Sequence, residues 1–272
     1  MKSIALGQYY PAESLLHRLD PRIKIILTVL YIVCSFLCKN ILSFALLLLS
    51  AILLILLGRI PLKIVLKGLK PVLIILIFTA ILNIFWTKGE MLLVGWGFIQ
   101  IYAEGLYSAA FIMVRIVTLI IGTSMLLTYT TTPIALTDAL EDVLSPLKRL
   151  RVPVHEFAMM MTIALRFIPT LVEETDKIMT AQKARGADFS SGSLVQRAKA
   201  LIPIIIPLFV SAFNRAGDLA IAMECRCYHG GEGRTRMTVR RLRFADFIPL
   251  IAVILLGAAL ITLNILKIGF SM

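Results

Sequence analysis

Between positions 25 and 58 the only strongly polar residues are Lys39-Asn40, near the middle of the run. At 1.5 Å per residue, each half makes a helix of roughly 17–18 residues, enough to cross a bilayer core. The expected result is a helical hairpin whose tight turn holds Lys39-Asn40 at the far membrane surface. Asp20 is a good N-cap for its first helix, and Pro21 suits the first helical position, where a missing N–H costs nothing. A mean hydropathy of +0.90 and a hydrophobic content of 59% extend the same conclusion to the whole chain. Ordinary soluble domains hold about 45–50% apolar residues, so the fold class is all-α, a polytopic membrane protein.

Three more span-length segments, at about 72–86, 105–127 and 245–266, bring the expected number of transmembrane helices to about five. The loop 59–71 between the second and third carries Arg59, Lys63, Lys67 and Lys70. Trp86, Lys88, Glu90 and Trp96 mark the opposite interface, where tryptophan is enriched. Arg115 lies inside the fourth span and should face protein or water, with a neighbouring acid or carbonyl as the expected partner.

The net charge of +12 is unevenly placed. Lys2, Arg18, Arg22 and Lys24, the second loop, and the region 131–243 are basic, while the opposite turns offer only Lys39 and Lys88. The positive-inside rule puts the N-terminus and the central region in the cytoplasm of a multi-pass cell-membrane protein, and the C-terminus outside. The chain divides accordingly into a four-span region (1–130), a cytoplasmic coupling region (131–228), and a basic linker with a last transmembrane helix (229–272).

In the central region Thr132-Pro133 reads as a helix start. An amphipathic helix over 134–144 ends at Ser145-Pro146, and a basic connector follows. Two long helical patterns come next, at about 155–185 and 194–227. The stretch 157–168 is nearly continuous apolar apart from Thr162 and Arg166, so burial is expected there, and Pro169 should kink the helix. Glu173, Glu174 and Asp176 take the solvated side. Each pattern ends on an arginine between small residues, Ala184-Arg185-Gly186 and Cys225-Arg226-Cys227. One such end is explained by the helix dipole and a glycine C-cap. Two in one chain point to cationic tips whose slim neighbours let a guanidinium enter an acidic groove and pair bidentately with carboxylates.

The motifs His17-Arg18-Leu19-Asp20-Pro21-Arg22, Thr131-Thr132-Pro133, Pro146-Leu147-Lys148-Arg149-Leu150, Leu165-Arg166-Phe167-Ile168-Pro169, Ala181-Gln182-Lys183-Ala184-Arg185-Gly186 and Ala222-Met223-Glu224-Cys225-Arg226-Cys227-Tyr228 follow in order across most of the chain. Together they resemble the transmembrane T component of energy-coupling factor transporters, a vitamin- and metal-uptake branch of the ABC systems. The resemblance implies a non-enzymatic scaffold. It would dock two ABC-type ATPase subunits through Arg185 and Arg226, flanked by Ala184, Gly186, Cys225 and Cys227, and hold one small membrane-embedded substrate-binding S subunit. ATP would be bound by the partner chains, leaving this chain without a cofactor. Asp20, Pro21, Arg22, Arg166 and Pro169 would be structural or membrane-interface positions. The family's second tip usually reads Ala-Arg-Gly, and the two cysteines here depart from it.

Other readings fare worse. No aromatic-rich basic groove or finger pattern points to nucleic acid. Cys225, Cys227 and His229 lack a usual zinc spacing. Gly230-Gly231-Glu232-Gly233-Arg234 lacks the P-loop lysine and reads as a flexible link before Arg240, Arg241 and Arg243, a run suited to anionic headgroups. The four cysteines form no disulfide framework, and the first twenty residues lack the apolar core of a cleavable signal. A lipid-modifying membrane enzyme, a stand-alone permease and a dedicated metal-uptake subunit of the same family are the alternatives.

Overall fold

The computed structural model describes residues 9–87, 92–96, 99–189, 193–230 and 242–266. Two compact units emerge, one comprising Ala5–Ala139 with Arg240–Met272 and the other Leu140–Val239. The division falls inside a helix rather than at its start, a few residues beyond the Thr132-Pro133 signal. Lys2, Lys88, Glu90, the glycine-rich link from Gly231 to Arg234, and Arg240 and Arg241 lie outside the described residues.

The first unit is helical, with one small hairpin. Its elements are α1 (Leu15–Arg18), α2 (Pro21–Leu37), α3 (Ile41–Gly58), α4 (Leu62–Trp86), strands β1 (Leu92–Trp96) and β2 (Ile99–Tyr102), α5 (Ala103–Thr123) and, past the central region, α9 (Phe244–Ile265). The antiparallel strands pair Leu92 with Tyr102 and Trp96 with Ile99, a feature the sequence reading did not anticipate. As expected, Asp20 caps α2: its Oδ1 accepts from the Arg22 N–H at 2.9 Å, and Pro21 occupies the first position.

Helix α2 is the centre of this unit, packed against α5 and α9. Ile23, Leu27, Tyr31 and Cys34 on α2 meet Phe44 and Leu47 of α3, Leu126 beyond α5 and Leu260 of α9 in one buried cluster. Gly122 lets α5 approach the Tyr31 ring so closely that any Cβ there would overlap it. Small residues serve this purpose in membrane helix pairs, where close backbone approach supplies packing that lipid cannot.

Polar clasps hold the ends. Asn264 Nδ2 donates to the Leu37 carbonyl at 2.6 Å, and Asn40 Nδ2 to that of Leu263 at 3.1 Å. Asn40 is therefore buried, whereas Lys39 beside it is exposed as a surface turn requires. Arg115 donates from Nη2 to the Cys38 carbonyl at 2.8 Å and lies 5.2 Å from the centre of the Phe44 ring. A carbonyl was one of the two partners expected for it. Cys34, Cys38, Cys225 and Cys227 are all free thiols.

One expectation about the basic side is overturned, and one basic residue has partners the sequence did not show. The segment 59–71 is not a loop: α4 already begins at Leu62 and runs through Pro71. Lys63, Lys67 and Lys70 recur at helical spacing, so one polar stripe prolongs the span beyond its apolar part. Lys24, one of the basic residues that flank the first span in sequence, is buried. It is 1% exposed, and its Nζ donates to the Thr130 carbonyl at 2.8 Å and Thr131 Oγ1 at 3.3 Å. Thr130 and Thr131 lie just past the turn Ser124–Thr128, where α5 loosens into π-type hydrogen bonding.

Among the described residues, five helices are long and apolar enough to cross a membrane: α3, α4, α5 with its π-turn, α9, and the second long helix of the other unit. Helix α2, at 17 residues, is marginally shorter.

Candidate functional site

Helix α6 (Pro133–Val143) starts where expected, with Thr132 Oγ1 accepting from the Ala135 N–H at 3.3 Å. The connector is more ordered than a loop, because residues Ser145–Leu150 form a 3-10 turn. Glu141 anchors it, 3.0 Å from His155 Nδ1 and 3.9 Å from Lys148 Nζ.

The two long patterns become α7 (Val154–Ala184) and α8 (Leu194–Glu224). Pro169 in α7, and Pro203 and Pro207 in α8, lie inside continuous helices. A capping box of Ser193 and Gln196 opens α8. Contacts place α7 and α8 antiparallel. Gln182 Nε2 reaches the Pro203 carbonyl at 3.5 Å, while earlier in α7 Glu174 meets Ser211 and Arg215 later in α8.

Both helices end in the same motif. After α7, Gly186 takes the left-handed conformation at φ +86°. Its N–H bonds the Lys183 carbonyl at 3.0 Å, and the Ala187 N–H bonds that of Gln182 at 3.0 Å. After α8, Cys227 takes that conformation at φ +55°. Its N–H bonds the Glu224 carbonyl at 2.8 Å, and the Tyr228 N–H bonds that of Met223 at 3.1 Å. These are the paired 6→1 and 5→2 bonds of a Schellman cap. Arg185 and Arg226 hold the equivalent place, the last residue before the left-handed one. Cysteine in place of glycine leaves the cap intact.

Both arginines are exposed, as are Ala184, Gly186, Cys225 and Cys227. A side chain in the left-handed region costs about 1–2 kcal/mol, which glycine avoids. Cys227→Gly should therefore stabilise the second cap by about 1 kcal/mol, seen as slower exchange of the Tyr228 amide, whose bond to the Met223 carbonyl closes the cap. Unchanged or faster exchange would contradict the assigned geometry.

Between the tips lies a contact that sequence reasoning missed. Glu174 accepts from Ser211 Oγ at 3.0 Å and makes a short ion pair with Arg215 Nη2. The Ser211 hydroxyl and the Arg215 guanidinium hold its carboxyl below the ordinary carboxylate range, so Glu174 is a carboxylate at neutral pH. Glu174 thus faces α8 and is only half-buried, rather than lying on the fully solvated side. Glu174 and Arg215 are 41 residues apart, the interval that also separates Arg185 from Arg226. Each arginine therefore follows its member of the pair by the same stretch, about 16 Å of helix, in opposite directions. The repeated interval was the available signal.

The apolar stretch 157–168 is not buried as expected, and the apolar part of α8 is open as well. Phe157 is 57% exposed, Met160 57% and Phe209 61%, and Ile202, Ile205, Ile206 and Phe213 are similarly open. Arg166 and Pro169 are also exposed. Neither helix has enough neighbours in its unit to cover more than one face, and α8 itself is long and apolar enough to enter a membrane. Arg22 Nε lies 3.9 Å from Asp20 Oδ1 at the start of α2.

Residues 12–237 match the CbiQ family, described as cobalt transport protein. The chain belongs to the CbiQ/EcfT family. Relatives of this family include the energy-coupling factor transporter transmembrane protein of Ruminiclostridium cellulolyticum, 56% identical over 91% of both chains. The protein of the same name from Clostridium kluyveri is 51% identical over 94% of this chain and 95% of its own. That from Bacillus subtilis is 49% identical over 97% and 99%. CbiQ/EcfT membership accounts for the apolar spans and makes this a transporter membrane component.

Proposed function

We propose that the chain is the non-catalytic coupling subunit of an energy-coupling factor uptake transporter for a vitamin or metal ion. It docks two ABC-type ATPase subunits and one small S subunit that carries the substrate. The observation that carries this reading is the pair of matching caps, each presenting an arginine at opposite ends of α7 and α8, up to about 30 Å apart. That spacing suits two separate protein subunits better than one small ligand. Each guanidinium would enter an acidic groove on one ATPase and pair bidentately with a carboxylate.

The uncovered apolar faces of α7 and α8 support a further membrane-embedded neighbour, and the S subunit fills that role. ATP-driven motion of the ATPases would displace the helix pair and, through it, the S subunit. ATP binds in the partner chains, and this chain needs no cofactor of its own. Arg18, Arg22, Arg59 and the lysine stripe of α4 favour a cytoplasmic N-terminus, with the end of α9 on the other side of the membrane.

Cys225 and Cys227 report on docking directly. Maleimide should label both readily in the isolated chain. Assembly with the ATPases should slow labelling at least tenfold, while native-membrane pull-downs bring down two ATPases and a small membrane protein. Equal labelling with the ATPases bound would place the docking site elsewhere.

A further inference from the structure

Helix α1 packs against α3 near the basic end of that span. An open-sided cavity of about 340 Å³ lies there, lined by Glu13, Leu15, Arg18, Leu56, Leu57 and Arg59 among others. Its charge is two guanidinium groups against one carboxylate. The internal counterion is weak: Arg18 and Glu13 stand 3.9 Å apart with side chains 75% and 94% exposed. An exposed pair at that distance contributes about 0–1 kcal/mol, so a better anion displaces it easily. Among the described residues Arg59 makes no ion pair. It holds the left-handed conformation at φ +51°, immediately after Gly58, although that region favours glycine or asparagine. A cation thus stands at a position whose backbone glycine or asparagine would fit better.

The apolar half of the lining is equally specific. Leu15 and Leu56 are 68% and 69% exposed, and α3 is a membrane span whose last turn contains Leu56 and Leu57. Leucine at that level meets acyl chain, and the arginines beside it meet phosphate. Basic pockets at the ends of membrane helices bind anionic headgroups in this way. A soluble anion would leave the leucines without a partner.

We propose that this cavity binds an anionic phospholipid, with its phosphate between Arg18 and Arg59 and its chains along Leu15, Leu56 and Leu57. The site depends on α3 spanning the bilayer and is independent of how the ATPases dock.

The test uses the full chain, delipidated and then exposed to vesicles of phosphatidylcholine alone or mixed with phosphatidylglycerol, with retained lipid counted by native mass spectrometry. Phosphatidylglycerol should be retained in preference to phosphatidylcholine, and millimolar inorganic phosphate should not displace it. Arg18→Gln and Arg59→Asn, the latter compatible with the left-handed backbone, should each lower retention at least fivefold. Lys39→Gln, at the α2–α3 turn, should have no effect. Glu13→Gln should raise retention by removing the competing carboxylate, and it leaves both arginines in place if their variants fold poorly. Equal retention of the two lipids, wild-type retention in the arginine variants, or unchanged retention in Glu13→Gln would overturn the proposal. Displacement by inorganic phosphate would make the site one for soluble anions and overturn it as well.

Discussion

Replacing both Arg185 and Arg226 with alanine should strip the ATPase subunits from the detergent-extracted transporter while the mutant chain still inserts and keeps its S subunit. Each single variant should weaken docking by about 2–4 kcal/mol, as for a desolvated arginine at the centre of an interface. That is roughly a 30- to 700-fold loss of affinity per tip. The effect is local, because neither side chain is needed for the caps, whose bonds are all between backbone groups. An alanine at either position leaves those bonds in place, so circular dichroism and melting should stay near wild type. The single variants should differ little from one another if the tips are equivalent. Recovery of both ATPases at wild-type yield with the double mutant would end this reading of the arginines.

Gly122→Leu should destabilise the membrane unit itself. The leucine would drive into the Tyr31 ring, which is 1% exposed and pinned between α2, α3 and α5, with its hydroxyl 3.4 Å from Ser50 Oγ. Overpacking of this kind costs about 1–3 kcal/mol, and more where the obstructing group cannot move aside. A lowered melting temperature and reduced yield of folded protein are expected. Tyr31→Ala in the same chain should restore part of the loss, because it vacates the space the leucine needs. The pair of substitutions would then show a favourable coupling, which two independent defects would not. A Gly122→Leu chain as stable as wild type would mean that α2 and α5 do not approach as closely as described.

Local chemistry was the readable part of this chain. Asp20-Pro21 and Thr132-Pro133 announce helix starts because capping is decided by the residue and its immediate neighbours. Gly186 announces its own left-handed turn for the same reason. Cys227 did not, because a cysteine carries no such signal and only the hydrogen bonds reveal the shared cap.

What depended on distant partners was misread. Lys24 looks in sequence like any flanking basic residue, yet residues more than 100 positions later bury it. Glu174 looks like one more solvated acid until Arg215 is brought to it from the next helix. The start of α4 was hidden because three lysines in twelve residues resemble a loop unless their helical spacing is counted. The stretch around Phe157 failed differently: apolar character says that a surface wants covering, but not that this chain supplies the cover. Of the candidate site, the two helix ends bearing the arginines were legible and the brace between them was not.

That brace has a mechanical consequence. A packed pair whose charged contact lies midway between two arms of equal length behaves as a balanced beam. A pull on either end is resisted equally at the pivot, and drawing both ends together changes the angle between the rods while their centre stays in place. Were one ATPase to dock at each tip, as proposed, pulls in step would turn the beam without pushing it sideways, and a pull at one end alone would tilt it.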